Sequence, residues 1–149
     1  MAATLELVGD RWSLLALREI LFGNHRFTQI ARNTGAPRDR LAARLKSLVD
    51  DGLLEKREYQ VSRSEYHFTE AGRELFKVLL ALMTWGDKWA VDDPPLVLEH
   101  HGHQVVPVTL CDVCRQEIKA EDLHLVSCAP GWSMSGPEQV EASPAEQAL

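Results

Sequence analysis

Cys111 and Cys114 form a C-x-x-C pair, and His100, His101 and His103 stand just upstream. Such a pair supplies two thiolates from one turn, and two imidazoles complete a tetrahedral zinc set. The spacing points to Cys111 and Cys114 with His101 or His103, and Cys128 or His124 is a further donor within reach. Two other readings stay open, a metal-free β-ribbon and a dithiol sensor. Cys128 also reads as a small residue beside the turn at Pro130-Gly131. The three cysteines are an odd number confined to the last third of the chain, which argues against a disulfide framework. Zinc is the one cofactor suggested, and none is required.

The second group able to do chemistry is cationic. Arg26, Arg32, Arg38, Arg40, Arg44 and Lys46 lie within residues 26–46, where Asp39 is the single acid, a local charge of +5. The whole chain carries −6, but residues 1–90 hold 14 basic against 12 acidic side chains and residues 91–149 hold 2 against 10. The charge is therefore segregated, +2 against −8. A basic patch of this density attracts phosphates, although a solvated face with no partner has the same composition.

These residues need elements to position them. Residues 12–22 space Trp12, Leu14, Leu15, Leu17, Leu21 and Phe22 as a helix with one buried stripe, ending near Gly23-Asn24. Phe27, Ile30 and Ala31 mark a short second helix that runs into a turn at Thr34-Gly35-Ala36-Pro37. Pro37 suits the first turn of a third helix, residues 38–50, whose buried stripe is Leu41, Leu45, Leu48 and Val49. Past Gly52 the period changes to that of strands, over residues 53–59 and 64–68, which form a hairpin. Thr69 caps a long helix running to about Ala90. That helix is apolar nearly all round, through Leu75, Phe76, Val78, Leu79, Leu80, Leu82, Met83, Trp85 and Trp89. So much apolar surface calls for a second subunit or for the C-terminal region folding back over it.

Helix, helix, turn, helix, hairpin and long helix is the layout of a winged helix-turn-helix domain, whose second helix of the pair enters the DNA major groove. With Leu41, Leu45 and Leu48 inside, Arg40, Ala43 and Ser47 face outward, flanked by Asp39, Arg44 and Lys46. Ala43 is small enough for close approach to base edges. Arg38 and Arg40 carry the donor fork that pairs with guanine, and Arg44 suits phosphate or base. Asp39 can accept from a cytosine amino group or serve as a plain N-terminal helix acid. Arg63 at the hairpin tip suits a phosphate or the minor groove, as Arg26 and Thr28 suit the backbone, though Arg26 is also what a plain loop charge looks like.

The ordered segments Leu7-Val8-Gly9-Asp10-Arg11-Trp12-Ser13-Leu14-Leu15, Arg18-Glu19-Ile20-Leu21-Phe22-Gly23, Arg26-Phe27, Arg44-Leu45, Asp51-Gly52-Leu53, Phe68-Thr69-Glu70-Ala71-Gly72 and Trp85-Gly86 closely resemble the HxlR family of bacterial transcriptional regulators, related to MarR proteins. The resemblance implies a homodimeric DNA-binding protein that pairs through its N-terminal segment and the helix after Thr69. Two departures stand out. Pro37 replaces a serine common at the start of the recognition helix, and no cysteine precedes the Leu7-Val8-Gly9 segment, where some relatives sense oxidants.

The fold class expected is mainly α with a β-hairpin wing: a winged helix-turn-helix domain over residues 1–91, a small β-rich acidic extension over 92–128 and a disordered tail over 129–149. The function expected is transcriptional regulation by a homodimer on a near-palindromic operator, with helix 38–50 in the major groove and wing 59–66 on the backbone or minor groove. A small-molecule effector is a further candidate partner. The alternative is a winged-helix protein-interaction module with a zinc-ribbon-like tail. No nucleophile, base and orienting group stand together, so an enzyme is not expected. The longest apolar run, residues 78–83, is far below the roughly 20 residues of a membrane span, and no export signal precedes it, which places the chain in the cytoplasm.

Overall fold

The computed structural model describes residues 1–126 and Cys128. The chain divides into two units, Met1–Pro107 and Val108–Leu149. The division falls later than the charge step near residue 92 and leaves the His100–His103 hairpin in the first unit. The tail expected to be disordered, 129–149, lies outside the described residues.

In the first unit a short helix unforeseen from the sequence comes first, α1 (Ala2–Val8), with Val8 its single buried residue. Asp10 then caps α2 (Arg11–Leu21), accepting from the backbone N–H of Trp12 at 2.9 Å and of Ser13 at 3.3 Å. The buried stripe of α2 is Ser13, Ala16, Leu17 and Ile20. This corrects the expected stripe: Leu14, Leu15 and Leu21 are only half-buried and Phe22 is exposed. The α2 helix packs against both α3 and α4, with the small Ser13 and Ala16 among the residues it buries.

The second helix, α3 (Phe27–Thr34), buries Ile30 and ends at Gly35, whose φ of 67° lies in the left-handed region that glycine enters without steric cost. Pro37 is the N-cap of α4 (Arg38–Asp50), just outside the first turn in which the sequence placed it. Of the stripe expected on α4, Leu41, Leu45 and Leu48 are fully buried and Val49 is only half-buried, packed at the edge of the core.

Strands β1 (Leu54–Gln60) and β2 (Arg63–Phe68) pair antiparallel from Leu54 opposite Phe68 to Gln60 opposite Arg63. A bulge between Glu58 and Gln60 precedes the tip at Val61 and Ser62, with Ser62 at φ 62°. Leu54 and Tyr66 anchor the hairpin in the core, and its far end stands in solvent.

Thr69 caps the next helix as expected, its hydroxyl accepting from the Gly72 N–H at 3.1 Å and donating to the Gly52 carbonyl at 2.7 Å. The expected long helix is interrupted at one residue, which itself keeps helical dihedrals, φ −65° and ψ −12°. It breaks at Leu75 into α5 (Glu70–Glu74) and α6 (Phe76–Trp89). Gly72, in α5, packs against the root of the hairpin so closely that a Cβ there would meet the Leu53 carbonyl oxygen at 2.0 Å. On α6 only Leu79 is buried. Leu82, Trp85 and Trp89 are 51%, 62% and 67% exposed. A two-residue-strand hairpin, β3 (Glu99–His100) with β4 (His103–Gln104), turns through His101 and Gly102, both at positive φ.

The second unit, from Val108, has one isolated bridge between Leu110 and Glu117 and a single 3-10 turn at Ala120–Asp122.

Candidate nucleic-acid interface

Seating Leu41, Leu45 and Leu48 in the core fixes the azimuth of α4, and the period of the helix then decides what faces water. Arg38, Asp39, Arg40, Ala43 and Arg44 are all exposed. Ser47 is half-buried and donates to Asp51 Oδ2 at 3.1 Å. The four cations of α4, Arg38, Arg40, Arg44 and Lys46, differ in how firmly they are held. The Arg38 guanidinium lies 5.0 Å over the Phe27 ring, which ties the start of α4 to the start of α3. Arg44 Nε reaches Asp10 Oδ1 at 3.3 Å, so the carboxylate that caps α2 also orients a cation of α4. Lys46 pairs with Asp50 one turn on. Arg40 has no ion-pair or hydrogen-bond partner among the described residues and extends freely from the N-terminal half of the helix.

The second half of the surface is assembled from α3 and the wing. Arg26, the residue preceding α3, makes an ion pair with Glu65 of β2 at 3.0 Å and lies 4.5 Å over the Tyr59 ring of β1. The Arg26 hydrogen bond holds the Glu65 carboxyl below its usual range, and the arginine charge and His67 add to the effect. Arg26, Phe27, Thr28, Tyr59, Arg63 and Ser64 line an open groove between helix and wing. Arg63 at the tip has one weak partner, Gln60 Oε1 at 3.5 Å. The sequence-selected residues thus fall into two groups brought into the same unit: Arg38, Asp39, Arg40, Ala43, Arg44 and Ser47 on α4, and Arg26, Thr28 and Arg63 along the groove.

Several residues that hold this surface escaped the sequence reading. The rings of His25 and His67 stack at 4.3 Å, and the loop before α3 exchanges backbone contacts with β2, Tyr66 N–H donating to the His25 carbonyl at 2.9 Å. Glu19, nearly fully buried, receives Arg18, Asn24 Nδ2 at 2.8 Å and Asn33 Nδ2 at 2.7 Å, clamping the α2–α3 turn. Of these, only Asp10 carried a sequence signal, that of an N-cap before an apolar helix. Tyr59, Glu65 and the histidine pair carried none, since their roles arise from contacts between distant segments.

Three helices with α4 outward and a two-stranded wing beside it form a DNA-reading head, and comparison with known proteins agrees. Residues 7–94 match the HxlR-like helix-turn-helix family. The chain belongs to that family. A regulator of Mycobacterium tuberculosis, Rv3095, named as an uncharacterized HTH-type transcriptional regulator, is 46% identical over 125 residues, 80% of this chain and 79% of the relative. That alignment is longer than the family domain itself and so reaches into the appended segment. Among solved structures, PA1607 superposes with a TM-score of 0.73 at 31% identity, covering 82% of this chain and 89% of its own. The redox regulator HypR in its reduced form gives 0.54 at 28% identity, covering 58% and 89%. As an HxlR-like protein the chain is a transcriptional regulator with a helix-turn-helix DNA-binding domain, a family of regulators rather than enzymes. No helix among the described residues is long and apolar enough to cross a membrane.

The residues expected to hold a metal are divided between the two units. His101 and His103 sit on the β3–β4 hairpin, and Cys111 and Cys114 on the turn of the second unit. Among the described residues no three His, Cys, Asp or Glu side chains converge as a ready-made metal site. Backbone N–H groups of Cys114 and Val113, and the Cys114 side chain, face the Cys111 sulfur and hold its thiol below the usual range.

One consequence of the Arg26 contact is open to direct measurement. Glu65 neutralises the cation that the sequence reading assigns to the DNA backbone. Glu65→Gln, which keeps the shape and removes the charge, should tighten binding to duplexes of any sequence by about two- to fivefold, as expected from a surface ion pair worth up to about 1 kcal/mol. Fluorescence anisotropy at fixed salt reads this directly, and unchanged or weaker binding would place Arg26 away from the backbone.

Proposed function

We propose that this regulator acts as a homodimer on a near-palindromic operator, each copy laying α4 in a major groove and its wing on the adjoining backbone or minor groove. The observation that carries the reading is Arg40: an exposed guanidinium without a partner among the described residues, beside the small Ala43, on a helix whose opposite face is locked into the core. Arg38 joins it in reading bases or phosphates, while Asp39 and Ser47 flank the reading surface. Arg44, Arg26, Thr28 and Arg63 set the register on the backbone. The homodimer is supported by the bare apolar face of α6 and by Leu5 and Leu7 of α1, which stand exposed in the single chain. Two-fold symmetry then asks for half-sites about 10 base pairs apart or a multiple of that.

The test begins with duplexes selected from a random pool at stated ionic strength. On the selected duplex Arg40→Ala should weaken binding by about 1–3 kcal/mol, roughly 5- to 150-fold, with little effect on random sequence. Arg63→Ala should weaken both alike and reduce the slope of log K against log salt by about one. Binding that ignores salt and both substitutions would favour the protein-interaction module over an operator-reading protein.

A further inference from the structure

A carboxylate beside a phosphate-binding groove repels what the groove is built to hold. Glu65 is such a group. It makes an ion pair with Arg26, one of the residues lining the groove between α3 and the wing, and that arginine keeps it ionised across the neutral range. Its two oxygens have different partners. Arg26 Nε lies 3.0 Å from Oε1, while Oε2 faces His67 Nε2 at 3.5 Å. Arginine is always charged, whereas imidazole is the side chain whose charge changes between about pH 5 and 8.

His67 does not stand alone. Its ring stacks on that of His25, with centroids 4.3 Å apart and planes 18° from parallel. The stack is built into the backbone: Tyr66 N–H donates to the His25 carbonyl at 2.9 Å, and His25 Nδ1 lies 2.9 Å from the Tyr66 carbonyl. A carbonyl oxygen only accepts, so Nδ1 is the nitrogen of His25 that carries the hydrogen in this bond. Two charged rings face to face would repel, whereas a neutral ring tolerates a charged one stacked on it. The pair therefore suits one added proton, and Glu65 draws it to His67. Other charges on the elements packed around the pair already have partners or stand in solvent. On β1, Glu55 is opposite His67 and Arg57 opposite Glu65, and these two pair with each other, while Lys56 lies over the Tyr66 ring. On α2, Arg11 lies over the Trp12 ring and buried Glu19 receives Arg18. Arg32 of α3 donates to Asn33 at 3.2 Å, and Arg73 of α5 donates to the Phe68 carbonyl at 3.1 Å, with Glu70 and Glu74 exposed.

We propose that His67, held by its stack on His25, is a positioning residue for Arg26: when duplex binds, His67 takes a proton from solvent, its imidazolium pairs with Glu65, and Arg26 is released to a backbone phosphate. The carboxylate is then never left unpaired next to the phosphate. This rests on the reading of Arg26 as a backbone contact. The sign of the effect follows from the charges. Phosphates arriving at the groove favour the charged imidazole, so the complex holds more protons than the free protein, and affinity rises as pH falls.

Fluorescence anisotropy on the selected duplex, at one ionic strength, tests this from about pH 8 down to about pH 5.5. Affinity should rise by about two- to fivefold over that span, the scale of releasing one surface ion pair. His67→Gln, which cannot titrate, should keep the weaker affinity throughout. His67→Arg, a fixed cation, should keep the tighter affinity throughout, and Glu65→Gln should bind tightly at both ends with most of the dependence gone. Titration calorimetry in two buffers of different ionisation enthalpy should show proton uptake on binding by the parent and none by His67→Gln, with circular dichroism melts reporting that each variant is folded. A flat profile in the parent, proton release on binding, or a dependence that survives both His67 substitutions overturns the proposal and leaves DNA recognition itself standing. A protein that binds no duplex at any pH overturns both readings together.

Discussion

A protein carrying Leu82→Asp and Trp85→Asp should have half the mass of the parent in solution and lose operator binding by about a hundredfold or more. Both side chains are more than half exposed in the single chain, so the substitutions remove little that the isolated fold depends on. What they place at risk is the proposed pairing surface, where a buried unpaired carboxylate costs several kcal/mol. A monomer holds one half-site, and the gain from engaging two sites through one rigid linkage disappears. Specific binding by paired readers typically exceeds non-specific binding by roughly 10³-fold or more, which sets the scale of the loss. Sedimentation equilibrium and anisotropy on the selected duplex measure both effects. A variant that remains dimeric would move the pairing surface elsewhere, and a monomeric variant with full affinity would remove the need for a second copy.

Leu45→Ala should destabilise the first unit by about 2–5 kcal/mol, the range for emptying a fully buried leucine site. Leu45 lies between Arg44 and Lys46 on the helix that carries the proposed contacts, and it is one of the residues that set which way those contacts point. Urea unfolding followed by circular dichroism gives the change in stability. Binding should weaken mainly through the loss of folded protein and recover when the native state is held by saturating duplex. A loss below about 1 kcal/mol would show that the inner face of α4 is not packed as described.

Why α4 was legible in the sequence and α2 only partly so comes down to residue size at the crossing. Leu41, Leu45 and Leu48 repeat at helical spacing with charges between them, leaving one possible inner face. On α2 the leucines are so many that bulk alone does not choose a face. The choice is made by close packing, which selects Ser13 and Ala16 for the inside and leaves Leu14 and Leu15 at the margin. The α1 helix escaped notice because Val8 is the single residue it buries. Nothing about Leu75 forecasts a break in a helix, since leucine is among the better helix formers. Nor did composition announce that Gly72 docks against Leu53, a contact between residues far apart in sequence. The same holds for the surface proposed to meet DNA. Its cations could be counted from composition, whereas the attachment of Arg38 to Phe27, Arg44 to Asp10 and Arg26 to Glu65 exists only once the chain has closed on itself.

Leu75, at φ −65° and ψ −12°, is the one residue between α5 and α6 and the place where a joint in the domain would lie. On one side Thr69 and Gly72 rivet α5 to the hairpin root. On the other, α6 is a rod of 14 residues, about 21 Å at 1.5 Å per residue. Swinging that rod through about 10° about the joint carries its far end about 3.7 Å, close to the rise of one base pair, roughly 3.4 Å. In the proposed homodimer, dihedral adjustment at this single residue would change the gauge between the two reading heads and leave the packing inside each head intact.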